Sequence, residues 1–272
     1  MKAHALLITT TAAAMALSGL VSCQPEAEST SVEAEQANPG AQLVADSIAA
    51  HGGTERWYEN GQLQFRWKYN MRDKGVTVDT TQTFDPTTMS VVHEVQDSEI
   101  RFGMNGGTAW ITPENAEFTP PPRFWALTPV YFLGIPFVFN DEGARFEQLT
   151  ETMAFEGKDY TQVKVTYGEN SGDSPDDYYV LLIDPETKLT RGAYYTVTNP
   201  LVLNGEAPGP AKFITLDDLQ DVSGLKLASG HRTFKMEDGE IGEIMRDTEV
   251  SGVKFLPEDT VDLSIPSGAK TL

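Results

Sequence analysis

From Asn60–Gly61 onward, large apolar residues alternate with polar ones along most of the chain. In the first such stretch, Leu63, Phe65 and Trp67 alternate with glutamine and arginine. This period of two predicts β-strands with one apolar face and one wet face. The pattern occupies 62–71 and returns at 76–84, 89–96, 99–104, 108–112, 145–155, 160–167, 178–184, 189–198, 212–216, 230–236 and 241–250.

A helical pattern precedes the strands. Residues 43–58 carry apolar side chains at helical spacing, and Gly52–Gly53 predicts the end of a first helix, with Thr54 capping a second. Because the strands that follow do not alternate with helices, a doubly wound fold is disfavoured. The sequence predicts an α+β fold: a strongly curved antiparallel sheet, or half-barrel, of about eleven strands with an N-terminal helix.

One segment, residues 119–139, breaks the strand rhythm, and we call it the insertion. It reads TPPPRFWALTPVYFLGIPFVF and combines five prolines with many aromatic residues. Proline-rich sequence is unsuited to a central strand. We expect short helices that form a lid over an opening in the sheet. The alternative is a plug that fills the core and never moves.

The N-terminus predicts export. An apolar run from Ala5 to Leu20 follows Lys2 and leads to Leu20-Val21-Ser22-Cys23. These four residues resemble the lipobox of bacterial lipoproteins. The resemblance implies cleavage of residues 1–22 and lipidation of Cys23. The alternatives are an ordinary signal peptide with an incidental cysteine, or an uncleaved membrane helix, although the run is short for the about 20 apolar residues that a span needs.

The next segment predicts a linker. Residues 24–42 contain four Glu, two Pro and no aromatic residue, so they cannot bury enough apolar surface to order themselves. We therefore expect a flexible acidic linker at 23–42 and a single folded domain at 43–272.

The net charge and the cysteine content exclude several classes of function. The formal charge is −20, which disfavours nucleic-acid binding because phosphate backbones require clustered Lys and Arg. The same charge gives no attraction to anionic lipid surfaces, so membrane attachment would depend on the lipid at Cys23. With one cysteine in the chain, the fold must rely on its core.

Motifs for catalysis or metal binding are missing from the sequence. His51, His93 and His231 share no metal-ligand spacing, and no G-x-S-x-G motif is present. The loop at 169–177 is acidic but lacks the ligand spacing of an EF-hand. Asp217 and Asp218 could form a carboxylate pair for glycoside hydrolysis, but neighbouring residues on a strand point to opposite faces of the sheet. We expect no cofactor and no metal.

Several sequence segments resemble those of the LolA/LolB-like lipoprotein-localisation superfamily and of uncharacterised bacterial lipoproteins with that fold. They are Tyr178–Thr187, with its IDPET hairpin, and the run Phe213–Asp218, Asp221–Leu227 and His231–Met236. The resemblance covers most of 43–266. It implies a half-barrel whose concave apolar face holds acyl chains or another hydrophobic ligand under a helical lid.

Burial of an acyl chain needs area rather than a polar motif, because each methylene contributes about 0.8 kcal/mol. The candidate ligand-binding residues are therefore the large apolar side chains of the strands and of the insertion. For the wall they are Phe65, Trp67, Tyr69, Met104 and Trp110, and for the lid Phe124, Trp125, Tyr131, Phe132, Phe137 and Phe139. The alternative is that all of them form a sealed core.

The sequence thus predicts a lipid-anchored envelope protein that binds or transfers a lipid or acyl chain. The alternatives are an envelope enzyme or accessory subunit with an unrecognised active site, and a structural lipoprotein that docks an envelope protein partner, whose identity the sequence does not give. Position 24 is Gln rather than Asp, which by analogy with lipoprotein sorting implies the outer membrane, facing the periplasm.

Overall fold

The computed structural model describes residues 38–72, 74–141, 143–168, 173–174 and 176–272. The predicted signal peptide, Cys23 and most of the predicted linker lie outside the described residues. The described residues from Asn38 onward belong to one compact unit. None of the helices in these ranges is long and apolar enough to cross a membrane.

The first helix, α1, spans Pro39–Ala50 and begins four residues before the predicted start. The Asn38 side chain accepts hydrogen bonds from the N–H groups of Gly40 and Ala41, at 2.9 and 3.2 Å. This cap, with proline at the first helical position, fixes the earlier start. Part of the predicted linker is therefore helical.

The two glycines end α1 as predicted. Gly52 and Gly53 have φ values of +121° and +96°. At Gly52 a Cβ atom would lie 2.2 Å from the carbonyl oxygen of Gly224, so only glycine fits. The second helix, α2, spans Thr54–Glu59, and its N-cap is Gly53 without a side-chain hydrogen bond. The prediction that Thr54 caps this helix is therefore wrong.

Within the described residues the sheet has fourteen strands rather than about eleven, and it is antiparallel and not closed. The strands are β1 Gln62–Met71, β2 Val76–Asp85, β3 Ser90–Val95, β4 Arg101–Asn105, β5 Thr108–Thr112, β6 Arg145–Phe155, β7 Lys158–Thr166, β8 Tyr179–Ile183, β9 Thr190–Tyr195, β10 Lys212–Thr215, β11 Asp217–Val222, β12 Leu225–Glu237, β13 Glu240–Leu256 and β14 Lys270–Thr271. The polar run of β11 and the two-residue β14 lack the alternation on which the sequence prediction depends.

The strand order is β14-β5-β4-β3-β2-β1-β13-β12-β10-β9-β8-β7-β6, and β11 pairs with β12. Most neighbours are consecutive in sequence, as in a meander. The exceptions are the pairings of β5 with β14, of β10 with β12 and of β1 with β13. The last of these joins the first and last long strands in the middle of the sheet. The two ends of the sheet are therefore formed by β5 with β14 and by β6.

The insertion forms short helices, as predicted: α3 at Pro122–Trp125, α4 at Thr128–Leu133, and a 3-10 helix at Phe137–Phe139. They pack on one face of the sheet, the inner face, where Trp125 lies against Tyr69 of β1 with ring centroids 5.0 Å apart. Its last part is sealed, because Phe137 is fully buried and stacks on Trp57 of α2 at 5.1 Å with an interplanar angle of 8°. This part is a plug, whereas Phe124 and Leu127 are only partly buried.

The opposite, outer face is covered in part by the C-terminal segment that precedes β14. Trp110 packs there with Val92 and Leu263, in a cluster separate from the main core. Gly103 faces the Trp110 indole: a Cβ atom at Gly103 would lie 3.0 Å from the ring and 2.1 Å from the carbonyl oxygen of Val91. Trp110 is therefore placed away from the inner wall to which the sequence prediction assigned it.

A buried histidine attaches the insertion to the sheet. The Nε2–H of His93, on β3, donates to the carbonyl oxygen of Ala126 at 2.8 Å. Burial lowers the pKa of His93 to about 3, because the charged ring would lose its hydration.

Two further histidines tie other elements together. The Nδ1–H of His51 donates to the carbonyl of Lys226 at 2.9 Å, and its Nε2 accepts from the N–H of Thr190 at 3.1 Å. The Nδ1–H of His231 donates to the carbonyl of Thr215 at 2.7 Å. Burial lowers the pKa of both rings to about 4. All three histidines are neutral crosslinks.

These histidines predict a loss of stability in mild acid. The folded-state pKa values lie below the unfolded value of about 6.5, so the unfolded state binds more protons as the pH falls below 6.5. We expect the free energy of unfolding in urea to fall between pH 6.5 and 5, by about 1.4 kcal/mol per pH unit for each histidine.

The variant His93→Gln removes one titrating ring. It should be less stable at neutral pH, but its stability should depend less steeply on pH than that of the unaltered chain. Equal slopes for the two proteins would contradict the assignment of His93 as a neutral crosslink.

Candidate functional site

The candidate site is a cavity of about 450 Å³ between the insertion and the strand ends of β7, β8 and β9. Small-molecule sites have volumes of about 300–1,000 Å³. Apolar side chains from the insertion and the sheet form much of its wall: Met104, Phe124, Leu127, Phe132 and Val197. The cavity exists because the plug part of the insertion fills only part of the inner face.

The structure brings four of the predicted site residues to this cavity: Met104, Phe124, Tyr131 and Phe132. Six others do not line it and pack in the main core: Phe65, Trp67, Tyr69, Trp125, Phe137 and Phe139. Trp110 lies on the outer face. The aromatic residues therefore divide into a cavity wall, a core behind it and an outer cluster.

Sequence analysis missed the tyrosines on the strand side of the cavity. Tyr167 follows β7, Tyr179 begins β8 and Tyr195 ends β9. Antiparallel pairing places Tyr179 opposite Tyr195, with ring centroids 5.9 Å apart and an interplanar angle of 21°. The adjacent pairs Tyr178–Tyr179 and Tyr194–Tyr195 were visible in the sequence, but only the pairing of β8 with β9 shows that one member of each pair faces the cavity.

The tyrosine hydroxyls are available to a ligand. The Tyr167 hydroxyl oxygen is buried without a hydrogen-bond partner among the described residues. Tyr195 is only 6% exposed, and its ring packs against Phe132 at 5.0 Å. Burial raises the pKa of both tyrosines, so they remain neutral hydrogen-bond donors.

Two carboxylates flank these tyrosines: Asp177, from the acidic loop noted in the sequence, and Asp141, which the sequence did not single out. Asp177 is half-buried and accepts a hydrogen bond from the N–H of Thr198 at 2.6 Å. Burial raises its pKa, although the positive charge of Lys212 acts in the opposite direction. The negative charge of Asp141 contributes to the raised pKa values of Tyr131 and Tyr167. Among the described side chains that line the cavity, three are carboxylates and one is basic.

One cation bridges the mouth of the cavity. Arg123, at the start of the insertion, pairs with Asp173 at 2.8 Å, and its Nη1 donates to the carbonyl oxygen of Gly107 at 3.3 Å. Gly107 lies in the turn between β4 and β5, and Asp173 lies in the loop between β7 and β8. The Arg123 side chain thus connects two distant parts of the sheet across the opening.

An exposed apolar turn adjoins the cavity. The short helix α5, Pro200–Leu203, follows Val197 and Asn199 of the cavity lining. The Asn199 side chain caps it by accepting from the N–H of Leu201 at 3.0 Å. Leu201 and Val202 are 49% and 41% exposed, which makes them the most exposed large apolar side chains near the site.

A second depression, of about 960 Å³, lies between β6 and the β12–β13 hairpin. It is bordered by the exposed side chains of Glu147 and Glu151 and by Phe155 and Phe234. Because most β6 side chains beside it are open to solvent, its wall is less apolar than that of the first cavity. We take the first cavity as the site.

The polar residues considered for catalysis have structural partners. Asp217 forms a bidentate ion pair with Arg232, at 2.8 and 2.9 Å, and its pKa lies at about 2 because these and other hydrogen bonds outweigh its burial. It therefore remains ionised rather than acting as a general acid. In the part of the chain that the structure describes, no three His, Cys, Asp or Glu side chains are grouped so as to hold a metal ion.

Comparison with known proteins gives the fold. A family profile, that of a family of unknown function (DUF6503), matches residues 125–222. No curated protein matches the chain significantly. A LolA superfamily protein from Nitrosomonas europaea has a similar structure, with a TM-score of 0.51 and 10% identity over 80% of this chain and 93% of that one.

Two further solved structures are similar at a TM-score of 0.49. One is an outer membrane lipoprotein-sorting protein domain from Vibrio parahaemolyticus, with 11% identity over 82% of this chain and 94% of that one. The other is a DUF1329 family protein from Desulfovibrio piger, with 10% identity over 83% and 95%. The similarity to the Nitrosomonas europaea protein shows that the chain has a LolA-like fold.

A filled cavity should not bind apolar dyes. We expect Leu127→Trp, which adds a large ring to the wall, to weaken Nile red binding at least about tenfold in a fluorescence titration, because an indole occupies space that the dye needs. Leu219→Trp is the matched control, since Leu219 is also partly buried against the main core but does not line the cavity. Equal dye binding by both variants would show that the dye binds elsewhere.

Proposed function

We propose that this chain is a lipid-anchored envelope protein that binds a hydrophobic ligand, such as a single acyl chain, in the cavity between the insertion and the sheet. The observation that carries the proposal is the largely apolar wall of Met104, Phe124, Leu127 and Phe132 around about 450 Å³ of space. The LolA-like fold agrees with it.

The size of the cavity favours a small ligand. At about 450 Å³ it lies towards the lower end of the range for small-molecule sites, so it suits one aliphatic chain rather than several. Burial of ten methylenes would contribute roughly 8 kcal/mol before the costs of binding, which is enough without any polar motif. This explains why the sequence carries no signature for the site.

The contacts that close the mouth of the cavity are weak. The Arg123–Asp173 pair has side chains that are 33% and 43% exposed, and exposed ion pairs contribute only up to about 1 kcal/mol. In contrast, the plug part of the insertion, with Phe137 and Phe139, is fully buried. Entry of a ligand therefore requires movement of the first part of the insertion only.

The exposed side chains of Leu201 and Val202 suit contact with a membrane or with a carrier while a ligand passes. An anchor at Cys23 would hold the domain at the outer membrane, as the residue Gln24 implies. The described acidic side chains make docking of the domain itself on an anionic bilayer unfavourable. In this proposal the lipid anchor supplies proximity and α5 supplies local apolar contact.

Binding rather than catalysis is the function we propose. The three histidines serve as neutral crosslinks inside the core, and Asp217 is committed to Arg232. The cavity wall offers tyrosine hydroxyls and carboxylates but no histidine. An enzyme acting on an envelope component would need a nucleophile or base there, which makes that alternative less well supported.

The proposal predicts co-purifying lipid. A form that starts after Cys23, exported behind a cleavable signal peptide from another protein and purified without detergent, should release one class of aliphatic compound on organic extraction, as detected by mass spectrometry. The variant Leu127→Trp should yield markedly less, because the indole occupies the cavity, whereas Leu219→Trp should yield as much as the unaltered chain.

Equal extracts from all three proteins, or empty extracts that stay empty after incubation with total envelope lipid, would contradict the proposal. Circular dichroism of each protein establishes that any loss reflects the cavity and not unfolding.

A further inference from the structure

We propose that the preferred ligand is an amphiphile whose aliphatic chain carries an ammonium group, and that the tyrosine and aspartate end of the cavity recognises this group. The inference rests on the proposed function, since it identifies the chemical class of the same ligand. It depends on three observations: the charges that face the cavity, the aromatic rings, and the hydroxyl groups.

The charged side chains around the cavity are predominantly acidic. Asp141, Asp173 and Asp177 line it, and Arg123 is the one basic side chain among the described lining residues. Arg123 is already paired with Asp173 at 2.8 Å. Asp141 and Asp177 are thus left without a basic partner in the lining. A carboxylate or phosphate head group would meet like charge, whereas an ammonium group would be attracted.

Two cations act on this part of the cavity from outside its lining. Lys212 lowers the pKa of Asp177, but burial outweighs it and the net shift is upward. The positive charge of Arg246 lowers the pKa of Tyr195 by more than the charge of Asp177 raises it. Among the described lining residues the carboxylates still outnumber the cations three to one.

The rings around these carboxylates suit a cation. Tyr179 and Tyr195 stack at 5.9 Å, and Phe132 packs on Tyr195 at 5.0 Å. Aromatic faces attract ammonium groups within about 6 Å of the ring centroid, and several faces together form the aromatic cages that bind quaternary ammonium ligands. The aromatic wall also continues into the apolar part of the cavity, where a chain would follow.

The hydroxyl groups point to the same end. Tyr195 is 6% exposed, lines the cavity, and makes no hydrogen bond through its hydroxyl to any described residue. The Tyr167 hydroxyl is buried and equally without a partner in the described ranges. A head group at this end of the cavity would therefore lie beside both phenol groups.

The test compares probes that share one chain and differ in head group. Dodecyltrimethylammonium, dodecanol and dodecanoate are titrated below their micelle-forming concentrations into the form that starts after Cys23, by isothermal titration calorimetry. We expect the cationic probe to bind at least about tenfold more tightly than dodecanol, and dodecanoate to bind most weakly. Butyltrimethylammonium, which keeps the head group but shortens the chain, should bind at least about tenfold more weakly than the dodecyl compound.

Matched variants separate the site from the acidic surface. Asp177→Asn should collapse the preference for the cationic probe over dodecanol, because it removes the half-buried charge. Glu258→Gln removes an equal charge from the exposed segment after β13 and should leave the preference unchanged. Leu127→Trp measures what remains as non-specific binding to the surface.

The outcomes distinguish the two proposals. If dodecanol binds the unaltered chain but not Leu127→Trp, and dodecanoate binds as tightly as the cationic probe, the cavity binds ligand and the inference about the head group is overturned. Equal binding of the short and long ammonium probes would overturn the need for a chain. If no probe distinguishes the unaltered chain from Leu127→Trp, the proposed function itself fails.

Discussion

The structure depends on apolar packing of the insertion against the inner face of the sheet. The prolines of this segment prevent it from joining the sheet, yet its phenylalanines and tryptophan must be removed from water. Short helices satisfy both requirements. They bury Phe137 and Phe139 completely, but their irregular shape cannot fill a curved sheet evenly. The space left beside α4 is the cavity, so plug and binding site are two results of one packing constraint.

Buried polar groups occur both in the sealed part of the structure and at the cavity. In the sealed part, buried polar side chains such as His51 and His93 are paired with the backbone and stay neutral. At the cavity, the Tyr167 hydroxyl is buried without a hydrogen-bond partner in the described residues, and the half-buried Asp177 accepts from the N–H of Thr198 but has no basic partner in the lining. Unpartnered buried polar atoms also occur in the core, as at the indole nitrogens of Trp67 and Trp125, so they do not by themselves mark a ligand site.

Much of the fold could be predicted from the sequence, because alternation of apolar residues, as in β1, is a local property. β11 was missed since Asp217–Val222 is polar and gains its place only by pairing with β12. The site was less accessible to prediction. Phe132 and Phe137 look alike in the sequence, but only the packing on Trp57 seals Phe137. Tyr179 and Tyr195 meet through the pairing of β8 with β9, which composition and spacing do not reveal.

The central claim is that the space between α4 and β9 holds an aliphatic chain. The most direct measurement is a crystal structure of the form that starts after Cys23, exported and purified without detergent. The account predicts elongated electron density between Leu127 and Tyr195, with any polar end near Asp177. A cavity closed by the protein's own side chains, or a chain bound instead in the outer depression between β6 and the β12–β13 hairpin, would contradict it.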